Sequence, residues 1–100
     1  MRPMGKRDRL SDDEIAGFVA AHPGWVRAGE QIERSYSFPD YGTGVGFVIK
    51  VALLAERRDH HPEIALSWGK VRVAWSTHDA GGLTALDLEL AELTDRLSAG

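Results

Sequence analysis

Apolar residues recur along this chain in two rhythms, one of three to four residues and one of two. Ser11 precedes Asp12, Asp13 and Glu14, and Ile15, Phe18 and Val19 follow at helical spacing, so that Ser11 and Glu14 have the form of a capping box. The pattern predicts a first helix from about Asp12 to Ala21. His22-Pro23-Gly24 ends it, because the residue before a proline avoids the helical region and glycine favours turns. Trp25 and Val26 begin a short strand, Gly29-Glu30 suits a turn, and Ile32, Arg34, Tyr36 and Phe38 alternate as the second strand of an antiparallel hairpin.

Beyond Pro39-Asp40 the rhythm returns to three and four. Val45, Val48, Ile49, Ala52, Leu53 and Ala55 fall on one face of a central helix, with a first turn weakened by Gly42, Gly44 and Gly46, each costing roughly 1 kcal/mol against alanine. These glycines do not form a phosphate loop: their spacing is not GxGxxG and no GK[ST] follows. Ile64, Leu66 and Trp68 alternate before Gly69-Lys70, and Val71, Val73 and Trp75 alternate after it, which predicts a second hairpin running into Thr77 and His78. Thr84 is placed to cap a last helix with Leu86, Leu90, Leu93 and Leu97 near one stripe. The order α-ββ-α-ββ-α predicts an α+β, two-layer domain: a four-stranded antiparallel sheet with helices packed on one face.

Length and composition narrow this further. With 100 residues the chain suits a single core, expected over residues 11–100, behind a flexible N-terminal arm over residues 1–10. The arm carries Arg2, Lys6, Arg7 and Arg9, expected to be solvated. Against 15 acidic residues the 12 Lys and Arg leave a net charge of -3, so no global charge favours direct nucleic-acid binding. Cysteine is absent, which removes disulfides, thiolate metal sites and a cysteine nucleophile together. Met1 to Leu10 lacks the apolar stretch of a signal peptide and no long apolar run follows, so membrane insertion is not expected and the cytoplasm is the expected location.

Two polar clusters interrupt the apolar rhythm. Glu56-Arg57-Arg58-Asp59-His60-His61-Pro62-Glu63 lies where the central helix gives way to the third strand, and Ser76-Thr77-His78-Asp79 lies at the end of the fourth, before Ala80-Gly81-Gly82. Imidazoles on loops leaving rigid elements can act as acid and base near neutral pH, since both protonation states are accessible there. Taken singly, each cluster reads equally well as a solvated turn or a helix cap.

The two clusters together are more specific. Glu56 and Asp59-His60-His61-Pro62-Glu63, then Trp68, Val71 and Val73, then Thr77-His78, Gly82-Leu83-Thr84 and Asp87 resemble the pterin-4a-carbinolamine dehydratase family. The resemblance extends upstream to Leu10, Trp25, Arg34 and Phe38. It implies the same α+β fold, a homodimer or homotetramer, and a pterin substrate contacted by Asp59, His60, His61, Ser76, Thr77, His78 and Asp79. Asp87 matches an acidic position near the family's site, although a helix-surface aspartate is an equally good local reading. The glycines at 42, 44 and 46 and the indole of Trp75, where an aliphatic strand residue is usual, depart from the family pattern without touching the histidines.

The implied reaction removes water from a 4a-hydroxytetrahydropterin. One proton leaves N5 and another reaches the departing C4a oxygen, with His60 and His78 in the main acid-base roles, His61 binding or assisting, and Asp59 or Glu56 setting a histidine's tautomer. It needs no redox cofactor and no metal. Zinc on His60, His61 and His78 is the rival chemistry, disfavoured because neighbouring residues of an extended chain diverge in direction. A rival without chemistry also exists, since the family includes proteins that assist transcription-factor dimerisation or act as assembly factors.

Overall fold

The computed structural model describes residue 5 and residues 7–99. Its elements run α1 (Asp12–Ala21), β1 (Val26–Ala28), β2 (Gln31–Ser37), α2 (Tyr41–Arg58), β3 (Glu63–Ser67), β4 (Lys70–Trp75), a 3₁₀ turn (His78–Ala80) and α3 (Ala85–Ala99). Antiparallel pairing throughout gives one four-stranded sheet in the order β1-β2-β4-β3, the architecture the two rhythms predict.

Register explains which face is covered. Ile32 pairs with Trp75 and Tyr36 with Val71, and Val73 pairs with both Arg34 and Ile64, so these residues share the helix-covered face. Glu33, Arg72 and Glu63 alternate onto the other face, where Arg72 bonds to Glu33 at 3.0 Å and lies 3.8 Å from Glu63. Ile15 and Phe18 of α1, Phe47, Val51 and Leu54 of α2, and Leu86 and Leu90 of α3 complete a single core. Burying each of the larger of these side chains contributes roughly 1.5–3 kcal/mol before the chain's entropy is charged against it.

Ser11 caps α1 as predicted: its Oγ accepts from the Glu14 N–H at 3.2 Å, and Glu14 Oε1 accepts from the Ser11 N–H at 3.0 Å. The central helix departs from expectation in two ways. Its glycine-rich first turn is formed, because Asp40 Oδ1 accepts from the Thr43 N–H at 2.7 Å, a bond that also holds the Asp40 carboxyl below its ordinary pKa. Gly44 then lies against Leu66 and Val71 of the sheet. The inward row is Phe47, Val51, Leu54 and Ala55, whereas the row expected inside points largely outward, with Ile49 54% and Leu53 61% exposed. α2 is apolar on two sides, and the side richer in β-branched residues is the uncovered one.

Two polar ties hold the ends of the chain. The Asp95 carboxylate of α3 accepts from Trp25 Nε1 at 3.0 Å, Arg34 at 3.1 Å and the Tyr36 hydroxyl, which fastens α3 to the first hairpin. Burial, reinforced by the Asp95 charge, pushes the Tyr36 phenol far above its ordinary range. Of the arm expected over residues 1–10, residues 1–4 and 6, including Arg2 and Lys6, lie outside the described residues. Arg9 forms a bridge with Thr84, and Leu10 is buried, with its N–H donating to the Leu83 carbonyl at 2.8 Å, so packed chain begins ahead of residue 11.

Candidate active site

The end of α2 decides where the paired histidines point. Asp59 takes left-handed backbone angles (φ 49°, ψ 45°), a conformation that Asp and Asn tolerate better than other non-glycine residues. The His60 N–H then reaches back to the Ala55 carbonyl at 3.1 Å, closing a Schellman-type turn. As the chain becomes extended, consecutive side chains diverge: His60 goes inward, only 8% exposed, and His61 stays on the surface.

His60 enters a fully occupied polar network. Its Nε2 lies 2.7 Å from Asp87 Oδ1, and its ring stacks on the Trp75 indole with centroids 5.9 Å apart and planes 6° from parallel. Asp87 Oδ2 accepts from the Thr77 hydroxyl at 2.7 Å, the Thr84 N–H at 2.9 Å and the Thr84 hydroxyl at 3.3 Å. Asp87 is fully buried, so the alternative of a helix-surface aspartate fails. Its carboxylate reaches back over the first turn of α3 to the N–H and hydroxyl of Thr84. No described buried side-chain N or O lacks a hydrogen-bond partner. An ionised carboxylate only accepts, so in the neutral ring this contact puts the His60 proton on Nε2 and the lone pair on Nδ1.

The second cluster is shaped by a small closed loop. β4 stops at Trp75, earlier than the alternation suggests, and Thr77 pairs with Gly82 through N–H to carbonyl bonds of 3.2 and 3.3 Å in the two directions. The 3₁₀ turn from His78 to Ala80 fills the loop, and Gly81 closes it at φ +73°, where a Cβ is strained. Thr77 is thereby buried beside His60, while His78 and Asp79 are exposed.

A cleft of about 240 Å³ is lined by Asp59, His60, His61, Ser76, Thr77, His78, Asp79 and Arg7. All seven residues that the resemblance assigns to pterin contact therefore line one concavity, although they come from two segments of chain. Glu56 touches it through His61, whose Nε2 lies 2.7 Å from Glu56 Oε1 at the surface. The carboxylates within hydrogen-bond distance of the histidines are Asp87 for His60 and Glu56 for His61, while Asp59 shapes the turn with its backbone and lines the cleft. Among the described residues no group of three or more His, Asp or Glu side chains is arranged to hold a metal ion. Trp75 and Thr84 lie buried behind the cleft, against His60 and Thr77 respectively, and Arg7 is part of its lining. Trp75 was visible only as an unusual strand residue, Thr84 as a helix cap, and Arg7 as one charge of a basic arm.

Comparison with known proteins agrees over the same span. The sequence profile of the family described as Pterin 4 alpha carbinolamine dehydratase matches residues 8–97. A protein of Roseiflexus sp. (strain RS-1) that carries the name pterin-4-alpha-carbinolamine dehydratase provisionally is 43% identical over 89 residues, 89% of this chain and 96% of its own. One of Natronomonas pharaonis with the same provisional name is 46% identical over 91 residues, 91% of this chain and 97% of its own. Among solved structures, a transcriptional coactivator/pterin dehydratase from Brucella melitensis superposes with a TM-score of 0.85 at 35% identity, over 91% of this chain and 99% of that one. A pterin dehydratase-like protein described as a RuBisCO assembly factor of the alpha-carboxysome shares the fold, with a TM-score of 0.66 at 21% identity over 79% of this chain and 94% of its own. By profile, by sequence and by fold, this chain belongs to the pterin-4-alpha-carbinolamine dehydratase family.

Proposed function

We propose that the protein is a 4a-hydroxytetrahydrobiopterin dehydratase, which eliminates water from the pterin 4a-carbinolamine to give the quinonoid dihydropterin in tetrahydrobiopterin recycling. The observation that carries this reading is the meeting of His60, His61 and His78 in one cleft, two of them already paired through Nε2 with a carboxylate. In the elimination the N5–H bond breaks and its electrons form the C4a=N5 double bond, while the C4a–O bond breaks as that oxygen takes up a proton. Protons and electrons balance without an oxidant, a metal or a redox cofactor.

His60 suits the role of base. Asp87 fixes its tautomer, Trp75 fixes its plane, and Nδ1 is left to accept a proton, an arrangement of base and orienting carboxylate familiar from other proton-transfer sites. His78 bonds to no described side chain and stands at the cleft's edge, where an imidazole can take up or release a proton with solvent. These roles interchange if the hydroxyl lies on the opposite face of the ring. His61, held by Glu56, binds the ring or assists. Ser76, Thr77, Asp59 and Asp79 supply the remaining polar lining.

The protein is further proposed to act as a homodimer or homotetramer in the cytoplasm. Support for self-association is the outward row of α2, with Ile49 and Leu53 more than half exposed, together with the small core of a short chain. No described helix is long and apolar enough to cross a membrane. That same outward row also favours a second reading, a non-catalytic interaction module on this fold that serves as a dimerisation cofactor or an assembly factor. Absorbance of freshly generated 4a-hydroxytetrahydropterin separates the two: its decay accelerates in proportion to added protein under the first reading and keeps the uncatalysed rate under the second.

A further inference from the structure

Thr94 of α3 is a fully buried polar side chain that the elimination does not use. His60, Thr77, Thr84 and Asp87 are buried as well, but they meet in one network beside the cleft, whereas Thr94 lies about two turns beyond Asp87 along the helix. A hydroxyl in a helix interior does not strengthen the helix, because a threonine that bonds back to the preceding turn destabilises it slightly. Its place in the core is explained by another partner.

That partner is the indole of Trp75. The Thr94 hydroxyl donates to the Leu90 carbonyl at 2.7 Å, which commits its proton and leaves a lone pair to accept from Trp75 Nε1–H at 3.1 Å. Trp75 is fully buried too, so the single donor of its ring depends on this bond, and the bond fixes how the ring is turned in the core. The His60 imidazole stacks on that same indole, its plane 6° from parallel and its centroid 5.9 Å away.

The stack supplies a restraint that the Asp87 bond lacks. The torsion that turns an imidazole about its Cβ–Cγ bond is soft. Nε2 lies closer to the axis of that torsion than Nδ1 does, so a bond held at Nε2 restrains the swing of Nδ1 only weakly. A flat neighbour parallel to the ring restrains it directly. Asp87, Leu90 and Thr94 follow one another at intervals of three and four and share one face of α3. One helix face therefore aims His60 through Asp87 and sets its tilt through the indole. We infer that Thr94 is a positioning residue for His60, acting through Trp75 to hold Nδ1 in the plane in which it meets the substrate's proton. The inference rests on the proposed role of His60 as base and adds what orients it.

Thr94→Val keeps the shape of the side chain and removes the acceptor, so that the indole N–H turns toward another partner, while Thr94→Ser keeps the hydroxyl. Because the base is misaimed rather than removed, kcat for the carbinolamine should fall about 3- to 30-fold in Thr94→Val, less than the roughly 10²–10⁴-fold that a general base is worth, with KM within about twofold of the parent. Thr94→Ser should restore most of the loss. In ¹⁵N-edited NMR spectra the His60 Nε2–H should give a sharp signal in the parent and in Thr94→Ser and a broadened one in Thr94→Val. Trp75→Phe keeps a flat ring without the anchoring N–H; it should act as Thr94→Val does, and it carries the test if that variant does not fold. Combining the two should lower kcat no further. Parental kcat or a sharp His60 signal in the folded variant, equal losses with serine and valine, or an additive loss in the double variant overturns the inference. A parent that leaves the carbinolamine at its uncatalysed rate removes the dehydratase reading, and the His60 signals then decide alone whether Thr94 orders the ring.

Discussion

Asp87→Asn replaces one oxygen of the buried network by an amide nitrogen, and its effects on rate and on stability separate cleanly. In the parent, Oδ2 receives the Thr77 hydroxyl, the Thr84 N–H and the Thr84 hydroxyl, while Oδ1 receives His60 Nε2–H. Three donors on one side oblige the asparagine to keep its carbonyl there and to turn its NH₂ toward His60. A donor facing Nε2 requires a lone pair on Nε2, so the ring proton moves to Nδ1, and the nitrogen proposed to take the proton from N5 already carries one. A charge-assisted bond becomes a neutral one, a loss of about 1–2 kcal/mol, which in a domain of this size lowers Tm by roughly 4–15 °C. If general base catalysis by His60 is worth about 10²–10⁴-fold, kcat should fall by that factor with the circular dichroism spectrum unchanged. Asp87→Ala is a poorer probe, since it orphans buried donors at a cost of about 3–5 kcal/mol, comparable with the whole stability of a small domain. Stopped-flow absorbance gives the rate and a thermal melt the stability. An asparagine variant with a lowered Tm and parental kcat would show that Asp87 holds α3 in place and nothing more.

His60→Ala and His78→Ala should each slow dehydration by at least about tenfold with the fold retained, while His61→Ala should mainly raise KM; parental turnover in both of the first two would remove the assignment of acid and base. Leu53→Glu places a charge in the outward row of α2 and should lower the mass seen by light scattering toward the 11.0 kDa of one chain; a parent protein that is already monomeric at micromolar concentration refutes self-association. Tyr36 has a folded-state pKa raised above its ordinary value of 10.0, so its contribution to stability is full below that pH and is lost as pH rises beyond it. The urea midpoint should therefore fall on going from pH 9 to about pH 11, and Tyr36→Phe should flatten that fall; an equal slope in the two proteins would mean that the phenol is not shielded.

Much of the fold was legible because its signals are local. The Ser11–Glu14 capping box, the breaker after Ala21, the turns at Gly29 and Gly69 and the period-two strands each depend on residues a few positions apart, and each element lies close to where its pattern puts it, with β4 ending short at Trp75. The orientation of α2 was not legible, since two of its sides are apolar and only the sheet chooses between them. The histidine clusters could be named, but which imidazole is buried depends on the left-handed turn at Asp59, and a non-glycine in that conformation is a weak sequence signal. Asp87 reads as an ordinary helix-surface residue until Thr77, Thr84 and His60 are brought around it. Trp75 looked like a departure of little consequence and is the plane on which His60 rests.

The same network bears on how the proposed site comes to be assembled. Asp87 meets His60 across 27 residues and Thr77 across 10, and Asp95 meets Trp25 across 70, so α3 closes the site from a distance along the chain. Loop-closure entropy disfavours such contacts until the local turns and hairpins have formed, and any opening that lifts α3 removes the Asp87 contact from His60. Under the proposed roles, proton-transfer competence is then a property of the completed tertiary structure: a partly folded chain can carry every histidine and every strand and still lack the Asp87 contact that orients His60.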